Sequence, residues 1–224
     1  MGKLFILSAP SGTGKTTVAK SLLSSVDNLR RIVTVTTREK RPFERENVDY
    51  IFISVEEFKE RIERGEFIEY AEVYGNYYGT PRDQIERNMK EGYDSLLIID
   101  VQGAYRVKSE IPSSVSIFLI PPSIEELKRR IMNRGYKDKN MDIRLNTALK
   151  EIPCLKFFDY VVINDFLNSA VEKVKSIIYA ERIKREEFLR DIDKYYLEDK
   201  IIDLIKGGDC YVRQTKDRGS DETG

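Results

Sequence analysis

Short apolar runs and amphipathic stretches alternate along the chain. The apolar runs predict parallel strands that are buried on both faces. They are residues 4–8, 96–99, 117–120 and 161–163. The helical patterns are residues 16–24, 124–135 and 168–193. Because strands and helices alternate, the pattern predicts an α/β fold in which helices flank a mostly parallel sheet.

A group of short strands interrupts this alternation. The segments are residues 32–37, 50–53, 66–74 and 76–78. Their β-branched and alternating character predicts a small mixed or antiparallel insertion. Two Ser-x-x-Glu capping boxes, at Ser54 and Ser123, predict helix starts. Another helix is predicted from Thr80, with Pro81 at its first position, to Gly92.

Composition excludes several classes of function. The chain has 224 residues, and its 38 basic and 38 acidic side chains balance, which argues against a dedicated nucleic-acid binder. No apolar run approaches the roughly 20 residues that span a membrane, and no export signal is visible, so a cytoplasmic protein is expected. The two cysteines are isolated, and there is no histidine. Ser-His and Cys-His nucleophiles and His-ligated zinc are therefore excluded.

A glycine-rich segment after the first strand matches the phosphate-loop pattern G-x-x-x-x-G-K-[ST], except that Ala9 replaces the first glycine. Such glycines let backbone N–H groups converge on phosphate oxygens at a helix N-terminus. Lys15 is placed to reach the β- and γ-phosphates, and Thr16 to ligate Mg²⁺. The predicted ATP-contacting segment is Ala9, Pro10, Ser11, Gly12, Thr13, Gly14, Lys15, Thr16 and Thr17. The alternative is a glycine-rich turn that only caps a helix.

Three further segments stand behind this loop: TTREKR at 36–41, EFIEYAEVYGNYYGT at 66–80 and IIDVQGA at 98–104. Together with the loop, they resemble the guanylate kinase family over about residues 3–183. The resemblance implies a P-loop NTPase core, Mg²⁺-dependent transfer of the ATP γ-phosphoryl group to GMP or dGMP, and ATP and GMP as partners. It implies a domain over 1–190, with a core of 1–31, 92–123 and 146–190, a GMP-binding insertion at 32–91 and a helical lid at 124–145. A partly helical extension, disordered at its end, would occupy 191–224.

The chemistry of a GMP site fits these segments. Arg38 and Arg41 offer planar forks to a phosphate. Glu69, an acceptor-only carboxylate, matches the N1–H and N2 amine of guanine, and alternation places it on the same strand face as Phe67. Asp100 follows a parallel strand, at the sheet edge where ligands bind. The resemblance implies GMP contacts from Thr34, Arg38, Arg41, Tyr50, Glu69, Tyr78, Thr80 and Asp100. The alternatives are a solvated charged loop with core tyrosines, and a structural or surface role for Glu69.

The ATP side is implied mainly by the resemblance. It places lid arginines at Arg130, Arg134 and Arg144, and an adenine contact at Asn164; the alternative is a basic helix face. The catalytic set would be Lys15, Arg38, Arg134 and Arg144. Mg²⁺ would be held by Thr16 and, through water, by Asp100, although Asp100 has the alternative role of binding GMP. The family commonly has a carboxylate where this chain has Ile98. Since the acceptor phosphate is already an anion, the reaction needs no strong general base, which agrees with the absence of histidine.

Two other functions are considered. Another nucleoside monophosphate kinase is disfavoured by Glu69 and the GNYYGT segment. A guanylate-kinase-like protein-binding module typically has a degraded phosphate loop, whereas this loop is intact. No nucleic-acid or membrane partner is expected, and the chain is expected to be a monomer or a homodimer. Apolar residues near 195–205 predict a helix that packs on the core or on a second subunit, or that has no separate role.

Overall fold

The computed structural model describes residues 2–73, 75–132, 141–194 and 197–207, without the side chains of Met141 and Leu204. The strands are β1 Leu4–Ser8, β2 Leu29–Arg31, β3 Val35–Thr36, β4 Ile51–Phe52, β5 Phe67–Val73, β6 Asn76–Pro81, β7 Asp94–Ile98, β8 Val115–Ile120 and β9 Tyr160–Ile163. The helices are α1 Lys15–Ser25, α2 Val55–Glu63, α3 Arg82–Glu91, α4 Val101–Glu110, α5 Ile124–Met132, α6 Met141–Glu151, α7 Leu167–Arg182, α8 Arg185–Arg190 and α9 Asp199–Gly207. Short 3₁₀ helices lie at Ile152–Phe157 and Ile192–Lys194. The contacts divide the chain into two units, Met1–Glu181 and Arg182–Gly224.

The first unit is built on a five-stranded parallel sheet in the order β2-β7-β1-β8-β9. Side chains of β1 alternate between two cores. Phe5 and Leu7 pack with residues of α1 and α7, whereas Leu4 and Ile6 pack with residues of α3 and α4. The central strand is therefore apolar at consecutive positions because helices cover both of its faces, as the sequence predicted.

A second sheet of four strands, in the order β4-β3-β6-β5, forms the insertion. The sheet is mixed, because β3 pairs with β4 in parallel but with β6 in antiparallel orientation, and β5 pairs antiparallel with β6. Its own small core contains Val35, Phe58 and Phe67. The Phe58 and Phe67 rings stack with centroids 4.6 Å apart, so the sheet is fastened to helix α2 by aromatic packing.

The predicted strand over 32–37 is divided between the two sheets. The N–H of Ile32 bonds to Leu96 O and continues the pairing of β2 with β7, whereas β3 belongs to the mixed sheet. Between them, the Gln84 side chain accepts from Val33 N at 2.9 Å and donates to Val33 O at 3.0 Å. One apolar segment thus links the two sheets, and an amide side chain satisfies the backbone at the crossing.

Several other elements differ from the predicted ones. Pro81 is the N-cap residue of α3 and the last residue of β6, not the first helical residue. The predicted helix over 168–193 is wrong as a single element, because α7 ends at Arg182 and α8 begins only at Arg185. Lys184, the N-cap of α8, has an extended backbone with ψ of 142°. No described helix is long and apolar enough to cross a membrane.

Candidate active site

The phosphate-loop segment connects β1 to α1. Gly12 and Gly14 adopt positive φ angles of 89° and 99°, a region that favours glycine. Ala9 is buried, and it is not among the described residues with positive φ. The first position of the motif therefore does not need the glycine conformation here, and alanine fits.

The loop ends at the N-terminus of α1, which carries no acidic residue in its first turn and no side-chain cap. Unmatched N–H groups and the helix dipole favour an anion at such an end. Lys15 Nζ donates to Ile99 O at 2.8 Å, which places the ammonium group between the loop and the carboxyl end of β7. The hydroxyls of Ser8 and Thr13 are buried without a hydrogen-bond partner among the described atoms. The loop thus offers donors suited to phosphate oxygens.

The backbone of the loop is held from two other elements. Thr13 O accepts Asn164 Nδ2 at 2.6 Å and Arg130 Nη1 at 3.2 Å. Arg130 also donates to Asp165 O at 3.3 Å and to Glu126 at 2.7 Å. Arg130 and Asn164, the predicted ATP contacts, therefore lie at the phosphate loop and contact its main chain.

A carboxylate that was not among the sequence candidates also reaches this loop. Glu151 Oε2 accepts the N–H of Ser11 at 3.3 Å. Burial, reinforced by the charge of Asp100, raises the pKa of Glu151 above its ordinary value, although Ser11 and Lys15 oppose the change. No signal in the sequence distinguishes Glu151 from the many other glutamates on helices.

The predicted contacts to the GMP phosphate converge on Arg38. Its Nη2 donates to both carboxylate oxygens of Glu44, at 2.7 and 3.0 Å. Its guanidinium lies 5.5 Å from the Tyr50 ring centroid, and the Tyr50 and Tyr78 rings pack edge to face at 6.2 Å. The Arg41 residue is exposed, and its backbone N–H donates to Glu44 at 2.9 Å. The structure thus brings Arg38, Tyr50 and Tyr78 together.

Glu44 was missed by the sequence reasoning, and it lies three residues beyond the charged segment at 36–41. Burial opposes ionisation of this carboxyl, but the hydrogen bonds from Arg38 and from the Arg41 backbone hold its pKa below the ordinary value. Glu44 is therefore an ionised partner that orients the Arg38 fork. A glutamate six residues after Arg38 in this charged region is the signal that could have identified it.

The predicted base contacts meet between β5, β6 and α4. Glu69 is only 6% exposed, and its Oε1 accepts the Thr80 hydroxyl at 2.7 Å. Burial raises the pKa of Glu69 to about 7; the Asp100 charge adds to this, whereas Thr80 and Arg106 oppose it. Asp100 is the N-cap of α4 and accepts Gly103 N at 2.8 Å. Its charge helps to raise the pKa values of both Glu69 and Glu151.

Glu69 does not simply share a strand face with Phe67, as alternation predicted. A bulge lies between them, because Phe67 pairs with Pro81 while Glu69 pairs with Thr80. An extra residue in one strand breaks the two-residue alternation. Phe67 enters the core of the insertion, whereas the Glu69 carboxylate meets the Thr80 hydroxyl.

The remaining predicted site residues in the described part of the chain lie outside the clusters above. Thr34 is buried, and its carbonyl accepts Ile51 N at 2.9 Å. Thr16 and Thr17 are exposed at the start of α1, and Arg144 lies on α6. Arg134 lies outside the described residues. A cavity of about 690 Å³ between β5 and α4 is lined by Glu69 but by no other described site candidate, so it extends away from the Arg38 cluster.

These features define a P-loop nucleotide-binding protein. A glycine loop joins a parallel strand to a helix, a lysine lies at the helix start, and a carboxylate lies at the end of the adjoining strand. The mixed-sheet insertion adds an arginine–tyrosine cluster and a buried glutamate to that core.

Comparison with known proteins identifies the family. A sequence model described as guanylate kinase matches residues 1–181. The guanylate kinase of Oceanobacillus iheyensis is 46% identical over 199 residues, which are 88% of this chain and 96% of the relative. That of Thermotoga maritima is 44% identical over 200 residues, covering 89% and 97%. The crystal structure of guanylate kinase from Anaplasma phagocytophilum superposes with a TM-score of 0.69 at 39% identity, covering 82% of this chain and 88% of that one.

The chain belongs to the guanylate kinase family. It is accordingly a nucleotide-binding transferase, a kinase that acts on nucleoside monophosphates. The predicted fold class, a P-loop α/β core with a mixed-sheet insertion, is confirmed by this likeness.

Proposed function

We propose that this protein transfers the γ-phosphoryl group of ATP to GMP, giving ADP and GDP, with the two sites described above as donor and acceptor sites. The observation that carries the proposal is a buried Glu69 carboxylate that accepts a hydrogen bond from Thr80, in a chain whose phosphate loop is intact. Purine nucleotide metabolism and GMP recycling are the role that follows. The cytoplasm is the expected compartment, and a monomer or homodimer the expected state.

The acceptor site recognises GMP at both ends. Arg38, Tyr50 and Tyr78 face the phosphate, and Arg41 joins them when its exposed side chain swings inward. Glu69 accepts the N1–H and N2 amine of guanine, while Thr34 and Thr80 supply hydroxyls and Asp100 borders the base. Adenine lacks that pair of donors, so a buried carboxylate favours guanine over adenine.

The donor site binds ATP by its phosphates. The N–H groups of the loop and Lys15 neutralise the β- and γ-phosphates, and Arg134 and Arg144 neutralise the transferred group from the lid. Arg38 fixes the acceptor, so that catalysis consists of positioning and charge stabilisation. Residues 32–91 act as the GMP-binding insertion and residues 124–145 as the lid, which exclude water when they close on the core of 1–31, 92–123 and 146–190. The extension at 191–224 has no assigned part.

Mg²⁺ fits the oxygen donors at this site. Thr16 offers a hydroxyl and Asp100 a carboxylate, and Asp100 has one oxygen engaged by Gly103 N. Among the described residues there is no group of three or more His, Cys, Asp or Glu side chains that could hold a metal. The bound ion would be held mainly by nucleotide phosphates and water. When bound, Mg²⁺ supplies charge neutralisation on the phosphates.

The proposal is tested by ADP formation from Mg-ATP with GMP, AMP, UMP, CMP and dTMP as separate acceptors. GMP should exceed AMP by about 10⁴-fold in kcat/KM, and Glu69→Ala should remove most of that preference. Glu72→Ala, an exposed glutamate on the same strand, is the matched control and should behave as wild type. Preference for another acceptor nucleotide would overturn the assignment of GMP as the substrate. Binding of GMP without turnover would instead indicate a protein-binding module.

A further inference from the structure

Glu151, the last residue of α6, has no part in the reaction proposed above, yet it touches the phosphate loop through the N–H of Ser11. Its carboxyl is half-buried, and its electrostatic neighbours are Lys15 and Asp100. Removing a carboxylate from water is costly unless hydrogen bonds compensate for the lost hydration. A glutamate held in this place therefore calls for a functional explanation.

Helix α6 carries a second relevant side chain on the same face. Arg144, Ala148 and Glu151 are spaced i, i+4 and i+7, so they line one side of the helix. Ala148 is fully buried and packs with Leu127 and Ile131 of α5. At 1.5 Å per residue, Arg144 lies about 10 Å from Glu151 along the helix axis. The contact between Ser11 and the C-terminal end of α6 thus also helps to determine the position of Arg144 on the same helix.

We propose that Glu151 is a positioning residue for phosphoryl transfer. By accepting the Ser11 N–H it anchors α6 to the phosphate loop, and it thereby sets where Arg144 lies relative to the transferred phosphate. The inference rests on the proposed function, which gives Arg144 its role at that phosphate.

A carboxylate beside an anion-binding loop has one other possible effect, which is to compete with the triphosphate. The position of Ser11 favours anchoring. Ser11 precedes Gly12 and Gly14, whereas the unmatched N–H groups of α1 belong to its first turn, which begins at Lys15. Glu151 therefore uses one N–H of the predicted ATP-contacting segment, that of Ser11, and none of those at the helix start. The two effects differ in sign, since loss of an anchor lowers turnover, whereas loss of a competing anion tightens ATP binding.

Steady-state kinetics of Glu151→Ala and Glu151→Gln distinguish the two effects, because Gln keeps the acceptor oxygen and removes the charge. Glu151→Ala should lower kcat about tenfold or more, as misplacement of a reacting group does, with KM for GMP changed less than about twofold. Glu151→Gln should restore most of that loss. Glu172→Ala removes an exposed carboxylate on α7 that pairs with Lys175, and this control should have wild-type kinetics. Tighter ATP binding in both Glu151 variants would overturn the proposal.

A double-mutant cycle with Arg144→Ala tests the link between the two residues. The effect of Arg144→Ala on kcat should shrink in the Glu151→Ala background, whereas additive effects would show that the residues are not coupled. The backbone ¹⁵N–¹H resonance of Ser11 reports the anchor without activity, and it should shift in Glu151→Ala more than in Glu151→Gln. If Arg144→Ala alone leaves kcat unchanged while the Ser11 resonance still responds to Glu151→Ala, the role given to Arg144 fails and the coupling proposal with it. An unresponsive Ser11 resonance would overturn the anchor itself.

Discussion

The Glu69 carboxyl is buried at a cost that Glu69→Gln should reveal. Burial raises its pKa from 4.5 to about 7. At about 1.4 kcal/mol per pH unit, holding this group ionised in the folded protein costs about 3 kcal/mol. The pKa of Glu69 is higher in the folded protein than in the unfolded chain. The folded protein is therefore free of this cost below about pH 4.5, and it loses up to that much stability as the pH rises through about 7. Glutamine does not titrate, and its Oε1 can still accept the Thr80 hydroxyl.

The free energy of unfolding in urea measures this cost directly. The free energy of unfolding of Glu69→Gln minus that of the wild type should be roughly 2–3 kcal/mol larger at about pH 8 than at about pH 5. Glu72→Gln, on the exposed face of the same strand, should show no such pH-dependent difference. An equal gap between Glu69→Gln and wild type at both pH values would refute the reasoning, because it would mean that the carboxyl is not destabilised by burial.

The same titration should appear in GMP binding. In the proposed site guanine binds the ionised carboxylate, so the affinity of the wild type for GMP should rise with pH up to about 7. The GMP phosphate itself titrates near pH 6, but the ratio of wild-type to Glu69→Gln affinities cancels that contribution. A ratio that stays flat between about pH 5 and pH 8 would exclude Glu69 as the base contact, whatever the unfolding data show.

Three further substitutions test other parts of the site. Lys15→Ala should lower turnover on the order of 10²-fold or more; near-normal single-turnover rates would contradict its role. Glu44→Ala should raise KM for GMP with little change in KM for ATP, since Arg38 loses its carboxylate partner; a parallel rise in both constants would argue for general damage to the fold. Gly14→Ala should cost at least roughly 1 kcal/mol of stability and weaken ATP binding, because φ is 99° and a Cβ would lie 2.7 Å from Asn164 Nδ2. If calorimetry finds that Gly14→Ala binds ATP as tightly as the wild type, the expected clash between the new Cβ and Asn164 is refuted.

The parts of the fold that were predictable are those in which local and tertiary preferences agree. The capping residue Ser54 accepts Glu57 N at 3.1 Å, and Ser123 accepts Glu126 N at 3.1 Å, because a capping box depends only on residues within one turn. The consecutive apolar positions of β1 reflect burial on both faces. Such signals are written within a few residues of sequence.

The parts that were not predictable depend on tertiary contacts. Nothing in the composition of residues 183–185 breaks a helix, yet the backbone is extended at Lys184. The segment over 32–37 looks like one strand, but Ile32 pairs with one sheet and Val35 with the other. The bulge between Phe67 and Glu69 also arises from pairing with β6. For these two strand segments the deciding interaction lies with another element, and a window along the chain does not contain it.

The candidate site shows the same division. Lys15, Arg38 and Glu69 were predicted because the residue type suits a ligand group and stands in a motif or in a segment that resembles the family. Glu44 and Glu151 were missed because their partners are protein groups, the Arg38 guanidinium and the Ser11 N–H. A residue that orients a binding residue has no ligand chemistry of its own to display, and only coordinates reveal it.

The three glutamates of the site differ in how their charge is compensated, and this difference has a functional consequence. Glu44 meets a guanidinium, which keeps its pKa low despite burial, whereas burial raises the pKa values of Glu69 and Glu151. Glu44 is therefore ionised throughout the working range of pH, so the orientation of Arg38 should not change there. The pKa of Glu69 lies near 7 because burial raises it and its hydrogen-bond partner among the described residues is the neutral Thr80 hydroxyl. Recognition of guanine, rather than capture of the phosphate by the protein, should therefore be the pH-sensitive step of GMP binding.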